Sequence, residues 1–317
     1  MKTYLGIDVG SISTNFVLID REGNVLFSLY LRTEGDPIKA VKRGLKILEK
    51  KMPQGAEIGG VGATGSARQL VGVITGADLI KNEITAHAKG ASFFVPDVRT
   101  IIEIGGQDSK IIILENGVVV DFAMNTLCAA GCGAFLDAQA SRLNLPIEKF
   151  GELALKSKNP TTIASRCTIF AESDMIHKQQ VGHRIEDIVA GLCQGLARNF
   201  LNNVARGKNI KAPIVFQGGV SENVGMRRAF EMELGEKIIV PKYNKVMGAF
   251  GVALLVKENP PQQSKFLGFE VADKEIKCTS FHCNGCPNHC EIIEARIEGK
   301  VVARWGDRCG RWSSLTT

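Results

Sequence analysis

The sequence predicts an α/β protein with two duplicated subdomains and a small cysteine-rich module at its C-terminal end. The duplication is visible in two stretches, LGIDVGSISTNFVLIDREGN and IIEIGGQDSKIIILENG, which share one order of features. Each runs from an apolar strand through a glycine turn to a second strand and a Gly/Asn turn, and a third strand follows. Five of the nine cysteines lie between residues 278 and 309, which marks the C-terminal module.

Composition is typical of a soluble globular protein. The 317 residues are 44% hydrophobic and 23% charged, and this length allows two domains. A net charge of +6 without a Lys/Arg block, and only three Tyr and two Trp, argue against nucleic acid as a partner. No stretch approaches the ~20 apolar residues of a membrane span, and the N-terminus does not resemble a signal peptide. We therefore expect a cytoplasmic protein without a membrane partner.

The first unit places a carboxylate next to a small polar turn. Asp8 is a charged residue near the end of an otherwise apolar strand. A turn with Gly10 and three hydroxyl residues follows: Ser11, Ser13 and Thr14. A lone buried Asp is often a hydrogen-bonded structural residue. Beside such a turn we favour a ligand of Mg²⁺ or of water next to bound phosphates.

The second unit combines a glycine turn with a cysteine. Its strand breaks at Gly105-Gly106 and continues with Gln107 and Asp108, an arrangement that brings backbone N–H groups against phosphate oxygens. Cys128 stands at the predicted start of a small-residue helix, where the helix dipole favours a thiolate. The two features predict a nucleotide-dependent event that is coupled to a redox or metal centre.

Further glycines occur between the two units. The segment 36–51 is predicted to be a surface helix, because its apolar residues recur at helical spacing. Gly60, Gly62 and Gly65 formally match the dinucleotide fingerprint, but a third nucleotide-contacting turn or a hinge is the better interpretation. His87 lies in a predicted helix over 81–94 and is expected to be packed or on the surface.

A third glycine turn follows a long helix. That helix, over 184–206, places Cys193 on its apolar side, where a core position is expected. The strand in APIVFQGGV ends in the turn Gly218, Gly219 and Val220, and Ser221 and Asn223 follow near a helix start. The helix over 247–255, with Gly248, has a small-residue face that fits under an adenine ring or tightly against another element, and the preceding GGV turn favours the adenine.

The C-terminal cysteines have metal-ligand spacing. After a linker at 259–265, the run CTSFHCNGCPNHC and a distal cysteine follow a Cys-x-x-Cys-x-x-x-Cys pattern. We interpret four of them as ligands of a second [4Fe–4S] cluster or of structural Zn²⁺, with a metal-free fold as the weaker alternative. Cys278 is the expected spare. The four are Cys283, Cys286, Cys290 and Cys309.

The chain resembles the actin/Hsp70/sugar-kinase ATPase superfold, in which the glycine turns face one cleft. The resemblance rests on the two strand–glycine-turn units, the late GGV turn and the lack of a Walker A motif. The motifs GIDVGSISTN, GATGSAR, IGGQDSK, NTLCAAGCGAFLD, SRCTIFAESDMI and FQGGVSENVG resemble the BadF/BadG/BcrA/BcrD family. The resemblance covers residues 3 to about 256 in collinear order. That family contains ATP-dependent activators of 2-hydroxyacyl-CoA dehydratases, and the extra module makes this chain most similar to reductases of double-cubane-cluster proteins.

The resemblance implies a homodimer with one [4Fe–4S] cluster held by Cys128 and Cys167 of each subunit. A cubane needs about four thiolates, and a two-fold axis doubles the two per chain. Cys132 is a possible spare ligand. Glu103 stands where the family often has Asp, so it keeps the carboxylate but changes its reach, and a direct role for it is open.

The implied activity is ATP-driven transfer of single electrons. A ferredoxin or flavodoxin would supply the electrons, and an iron–sulfur dehydratase or a double-cubane-cluster protein would accept them. ATP with Mg²⁺ would be held by Asp8, the Ser11–Thr14 turn, Gly105–Asp108 and Gly218–Val220, and Gln107 is the candidate that orients the attacking water. The alternatives are a small-molecule kinase of the same superfold and a non-catalytic scaffold with a vestigial ATP site.

Three domains are expected. They span residues 1–98, 99–258 and 259–317, and the last helix of the second, at about 246–257, is expected to pack back towards the cleft.

Overall fold

The computed structural model describes residues 1–125, 131–165 and 167–313. The chain forms two compact units, Met1–Ala86 with Gly248–Thr317 and His87–Met247. These limits differ from the expected boundaries at 98 and 258. The helix after residue 82 contributes to the second unit, where a Cβ on Gly90 would lie 2.8 Å from the Met247 carbonyl oxygen. The helix that begins at Met247 packs instead on the first unit's sheet.

The first unit is built on a five-stranded sheet in the order β3-β2-β1-β4-β5. The central β1 pairs antiparallel with β2 and parallel with β4. The strands are β1 Lys2–Val9, β2 Ser13–Ile19, β3 Val25–Arg32, β4 Glu57–Thr64 and β5 Leu79–Ile80. The helices are α1 Pro37–Lys51, α2 Arg68–Thr75 and, near the C-terminus, α9 Met247–Glu258. The predicted helix over 36–51 is therefore confirmed.

The second unit repeats this plan, in the order β10-β9-β6-β7-β8. Here β6 pairs antiparallel with β7 and parallel with β9, as β1 does with β2 and β4. The predicted duplication is confirmed and extends to all five strands. The strands are β6 Thr100–Ile104, β7 Ser109–Glu115, β8 Val118–Asn125, β9 Ile214–Gln217 and β10 Ile238–Ile239. The helices are α3 Glu83–Phe94, α4 Gly133–Arg142, α5 Ile147–Ala154, α6 Thr168–Gln180, α7 Ile185–Asn203 and α8 Val224–Leu234.

Helix α9 lies directly on the first sheet because glycines remove side chains from the contact. A Cβ on Gly6 would be 1.9 Å from the Ala249 carbonyl oxygen, and one on Gly62 would be 2.8 Å from Val252 Cγ2. Gly60 and Gly62 lie inside strand β4 and face α9, so the dinucleotide fingerprint is only formal. The small residues of α9 therefore allow tight packing against the first sheet, which is one of the two interpretations given above for this helix face.

The core of the second unit surrounds helix α7. Phe230 of α8 packs edge-on against Phe200 and Phe216, with ring centroids 5.5 and 5.2 Å apart. Cys193 is buried as expected, and burial raises the pKa of its thiol to about 12. His87 is also buried, as the packed interpretation expects, and its Nδ1 lies 3.0 Å from Gln217 Nε2.

The C-terminal residues form an antiparallel sheet, β11 Ile276–His282, β12 Glu291–Ile297 and β13 Lys300–Trp305. Between the predicted linker at 259–265 and this sheet, Val271 and Ala272 belong to the first unit's core. Lys46 Nζ of α1 lies 2.5 Å from Asp273 Oδ1. Among the described residues, no helix is long and apolar enough to cross a membrane.

Gly6→Ala should lower the free energy of unfolding by about 3 kcal/mol, because the methyl group has no room beneath α9. Gly55→Ala is the control. Its Cβ meets nothing within 4 Å at φ +74°, so it should cost only the left-handed backbone strain of about 1 kcal/mol. Urea unfolding of both variants measures the difference, and equal losses would contradict the close helix–sheet contact.

Candidate functional site

Asp8 and Glu103 hold the same place in the two sheets, two residues before the glycine that ends the central strand. Asp8 lies in register with Asn15 on one neighbouring strand and with Thr64 on the other. The duplicated sheet places Glu103 in register with Lys110 and Gln217. Directly opposed residues share one face of a sheet, so each carboxylate belongs to a row of three polar side chains.

The row around Asp8 is rich in oxygen. Asn15 Oδ1 and Thr64 Oγ1 are buried and have no hydrogen-bond partner among the described residues. Asp8 itself is half-buried, and its Oδ1 lies 2.5 Å from the place that a Cβ on Gly65 would take. Hard cations such as Mg²⁺ prefer carboxylate and amide or hydroxyl oxygens, so this row fits the predicted magnesium site. Sequence reasoning found Asp8 but missed Asn15 and Thr64, which only the strand register reveals.

The first turn is closed by its own backbone. The Gly10 N–H donates to the Ser13 carbonyl at 2.9 Å, and Thr33 Oγ1 donates to the Gly10 carbonyl at 2.9 Å. Thr14 is buried, and its hydroxyl lies 3.0 Å from the Thr33 hydroxyl. Thr14 therefore stabilises the turn from within, whereas Ser11 is exposed and Ser13 is half-buried.

The row around Glu103 is a buried ion network. Lys110 Nζ lies 2.8 Å from Glu103 Oε2 and 2.8 Å from Asp108 Oδ2. The Lys110 side chain is 2% exposed and that of Glu103 is 5% exposed. Burial raises the pKa of the Glu103 carboxyl, and the nearby Lys110 ammonium opposes that shift. Sequence analysis missed Lys110, since a Lys after a glycine turn looks like a surface residue.

Two glycine turns meet at the Glu103 carboxylate. Its Oε1 lies 3.4 Å from the Cβ position of Gly105 and 2.7 Å from that of Gly218. Gly218 has φ +88°, and its Cβ would also be 2.3 Å from the Ile104 carbonyl oxygen, so only glycine fits there. Glu103 thus lies beneath both predicted phosphate turns of the second unit, which indicates that it supports their shape.

The side chains at the two turns differ in their surroundings. Gln107 is exposed at the tip of its turn, whereas the Asp108 carboxylate is engaged by Lys110. The third turn continues from Gly219 into a short 3-10 helix, with Val220 buried. Asn223 Oδ1 accepts the Met226 N–H at 3.1 Å and so caps helix α8.

The second turn is joined directly to helix α4. The Gly133 N–H donates to the Gly105 carbonyl at 2.9 Å, and the Ala134 N–H donates to the Gly106 carbonyl at 2.8 Å. These are N–H groups of the first helical turn, which have no partner within their own helix. A Cβ on Gly133 would lie 2.9 Å from the Gly105 oxygen and 3.0 Å from Val220 Cγ2. The start of α4 therefore contacts both turns.

The cysteines near these helices have different environments. Cys128 lies outside the described residues. Cys132 is buried and is the N-cap residue of α4, so the helix starts later than expected. The N-cap of α6 is Cys167, as predicted, and it is half-buried. Beside it, Ile169 and Phe170 are 70% and 66% exposed.

The structure brings only part of the predicted C-terminal metal site together. The Cys283 N–H donates to the Cys290 carbonyl at 2.8 Å, and the Gly285 N–H donates to Cys283 Sγ at 3.4 Å. Cys278 lies in strand β11 and is exposed. No group of three or more His, Cys, Asp or Glu side chains in the described ranges is placed to hold a metal ion. The four-cysteine site is therefore not formed as a cluster here.

Gly248 is buried in the first turn of α9. Its neighbour Ala249 contacts Gly6 of strand β1 through its carbonyl oxygen. The residue that follows Gly248 thus packs against the sheet, whereas the helix was predicted to face an adenine ring.

Residues 5–256 match the model of the BadF/BadG/BcrA/BcrD ATPase family. The chain is 37% identical to the (R)-2-hydroxyglutaryl-CoA dehydratase activating ATPase of Acidaminococcus fermentans, over 79% of this chain and 95% of that protein. It is 34% identical to the 2-hydroxyisocaproyl-CoA dehydratase activator of Clostridioides difficile, over 82% and 97%. The solved activator of the 2-hydroxyisocaproyl-CoA dehydratase with bound ADPNP superposes with a TM-score of 0.75, over 81% of this chain and 95% of that one.

Lys110→Met should lower the free energy of unfolding by about 3 kcal/mol, because it leaves the buried Glu103 carboxyl without its cation. Adding Glu103→Gln should restore part of the loss. Urea unfolding of the single and double variants measures both effects.

Lys208→Met is the matched control, since Lys208 pairs with the half-exposed Asp121 at 2.7 Å. An exposed pair of this kind is worth at most about 1 kcal/mol. If Lys110→Met cost no more than the control, the buried network would not be the support of the turns.

Proposed function

The chain belongs to the BadF/BadG/BcrA/BcrD ATPase family, and from its site we propose that it is an ATP-driven activator that passes single electrons to a partner iron–sulfur enzyme. The acceptor would be a 2-hydroxyacyl-CoA dehydratase-like enzyme or a double-cubane-cluster protein. One observation carries the proposal: the backbone of the Gly105-Gly106 turn is hydrogen-bonded to the start of helix α4, which follows the Cys128 segment. The predicted phosphate turn is thus in direct contact with the start of a helix whose N-cap residue is Cys132.

The glycine turns bind the phosphates of ATP. Backbone N–H groups at Gly10–Ser13, Gly105–Gln107 and Gly218–Val220 are suited to phosphate oxygens, and no side chain at the glycines blocks their approach. Asp8, with the partnerless oxygens of Asn15 and Thr64, would hold Mg²⁺ or its water ligands. Gln107, which is exposed at its turn, orients the attacking water.

Cys128 and Cys167 would hold the [4Fe–4S] cluster, together with the same residues of a second copy. Cys167 fits this role because it is half-buried at the start of helix α6. The exposed Ile169 and Phe170 beside it are apolar surface of the kind that a partner subunit covers. When bound, the cluster would supply one-electron transfer at low potential, with a ferredoxin or flavodoxin as donor.

The contact between turn and helix makes the cysteine segment respond to the nucleotide. A γ-phosphate that attracts the N–H groups of the Gly105-Gly106 turn would shift the carbonyls that Gly133 and Ala134 bind. Because these residues begin α4, the segment from Cys128 to Cys132 would follow. A nearly complete switch between two states requires ATP to favour one of them by about 5.5 kcal/mol, which several charge-assisted phosphate contacts can supply.

The C-terminal cysteines are proposed to hold a second [4Fe–4S] cluster or Zn²⁺. Cys283 and Cys290 face each other across the base of a hairpin, and Cys286 lies between them. The hydrogen bond that the Gly285 N–H donates to the Cys283 sulfur is of the type that stabilises a metal-bound thiolate. Cys309 would complete the set, with movement of its loop on metal binding.

A small-molecule kinase of the same superfold is not favoured. Two of the similar proteins, at 34% and 37% identity, are dehydratase activators. A kinase would also have no use for a cysteine at the start of α6.

Iron, acid-labile sulfide and zinc on anaerobically purified protein, with the native mass, test the proposal. We expect a dimer with about twelve Fe, or with about four Fe and two Zn if the C-terminal cysteines bind zinc. Cys167→Ser should lose about four Fe per dimer, and the control Cys278→Ser should lose none. A monomer without iron would refute the electron-transfer function.

Gln107→Ala should slow ATP hydrolysis by about 10²-fold, because the attacking water loses its orienting group. The steady-state rate of phosphate release measures this effect. Gln54→Ala, at an exposed position in a turn before β4, is the control and should hydrolyse ATP at the wild-type rate. Wild-type hydrolysis by Gln107→Ala would exclude the assigned role.

A further inference from the structure

We infer that Asn244 is a positioning residue that holds the third glycine turn in the shape that binds phosphate; the inference rests on the proposed function of that turn. Asn244 is 7% exposed and lies in a short 3-10 helix, Asn244–Val246, just before helix α9. No sequence motif marks it, because it is distant from the turn along the chain. Three hydrogen bonds nevertheless join it to the turn and to the 3-10 helix that continues the turn, Gly219–Glu222.

Asn244 contacts both ends of the turn. Its carbonyl oxygen accepts the Gly218 N–H at 3.0 Å, which anchors the end that follows strand β9. Its Nδ2 donates to Ser221 Oγ at 2.7 Å and to Glu222 Oε1 at 2.7 Å, which anchors the other end. Lys245 Nζ adds a contact of 3.3 Å to Glu222 Oε2. The turn is therefore held from both sides by one short segment.

Ser221 completes this arrangement. It is 4% exposed, and its hydroxyl donates to the Gly218 carbonyl at 2.6 Å. Its N–H donates to the same carbonyl oxygen at 3.1 Å. Because the hydroxyl hydrogen is used in this way, Ser221 Oγ is left as an acceptor for the Asn244 amide. Asn244, Ser221 and Gly218 thus form a closed ring of hydrogen bonds, which fixes the Gly218 backbone.

The ring determines which N–H groups of the turn are left for a phosphate. The Gly218 N–H donates to Asn244, and the Ser221 N–H donates to Gly218. Gly219 and Val220 begin the 3-10 helix, where an N–H group has no partner within the helix. These two neighbouring N–H groups are therefore the donors of the third turn. They converge on one anion only while both ends of the turn are held.

The backbone before Asn244 has an unfavourable conformation. Tyr243 has φ +63°, which lies in the left-handed region that a bulky residue rarely adopts. Such a conformation persists only where the surrounding contacts impose it, and it is concentrated at ligand sites. The hydrogen bonds from Asn244 to the turn supply contacts of this kind.

The test compares Asn244→Ala with the control Thr100→Val in the full-length protein. Thr100 is buried at the start of strand β6, the end away from the Gly105 turn, and its hydroxyl makes bonds of 2.9 and 3.0 Å with the Lys211 backbone. Isothermal titration gives the Kd for ADPNP with Mg²⁺, and phosphate release gives kcat and KM for ATP.

Asn244→Ala should raise the Kd and the KM roughly 10-fold and leave kcat almost unchanged. A turn that keeps its binding shape for only about one-tenth of the time loses that factor in affinity, whereas the bound complex is the same. Thr100→Val should lower the Tm without changing the Kd or the KM, because its lost hydrogen bonds lie away from the turn.

A rescue variant separates positioning from packing. Asn244→Asp keeps the size of the side chain but places a carboxylate against Glu222, so it should weaken ADPNP binding at least as much as Asn244→Ala does. Adding Glu222→Gln restores the hydrogen bond with donor and acceptor exchanged, and the double variant should recover most of the lost affinity. A role in packing alone predicts no such recovery.

The outcomes distinguish the inference from the proposed function. A wild-type Kd in Asn244→Ala, with a Tm lowered as in Thr100→Val, would make Asn244 a structural residue and overturn the inference. A lower kcat at unchanged KM, or a double variant no better than Asn244→Asp, would overturn it as well. Failure of the wild-type protein to bind ADPNP would instead rule out the proposed function of the turn, whatever the variants do.

Discussion

The ion pair between Lys110 and Glu103 is the interaction on which the second unit's site depends. Its 2.8 Å contact is almost completely removed from water, and its carboxylate lies under both Gly105 and Gly218. A buried charge pair is not a cheap source of stability, since both partners lose their hydration. The ion pair matters because it positions the Glu103 carboxylate beneath the two turns. Lys110 also binds Asp108, and so holds this carboxylate in place.

Asp8 and Glu103 occupy equivalent positions in the two duplicated sheets, but their side chains have different surroundings. Asp8 is half-buried between oxygen-bearing neighbours, and those oxygens have no partner among the described residues. Its equivalent, Glu103, is buried beside an ammonium. The same place in the fold thus offers ligands for a cation in one unit and is already neutralised by a cation in the other. Duplication preserved the backbone, and the neighbouring side chains decided the chemistry.

Local pattern predicted the parts of the fold that local physics controls. The alternation of apolar strands and glycine turns predicted both meanders, and helical spacing predicted α1 and α7. Features set by distant contacts were not predictable in this way. Gly60 and Gly62 resemble a nucleotide fingerprint, but contact with α9 decides their role, and this helix lies almost 200 positions away. The burial of Lys110 likewise results from sheet register, which a single strand does not reveal.

Backbone contacts join the candidate nucleotide turn of the second unit to helix α4, and the segment before Cys167 to helix α7. Gly133 approaches the Gly105 turn, and Gly191 and Gly195 admit the segment before Cys167, so no long side chain separates these elements. Flexible side chains can absorb a small shift by changing rotamer, whereas hydrogen-bonded backbones in close contact must move together. A displacement at the Gly105-Gly106 turn is therefore passed to the start of α4 rather than lost on the way. The glycines, which carry no chemistry themselves, make these close backbone contacts possible.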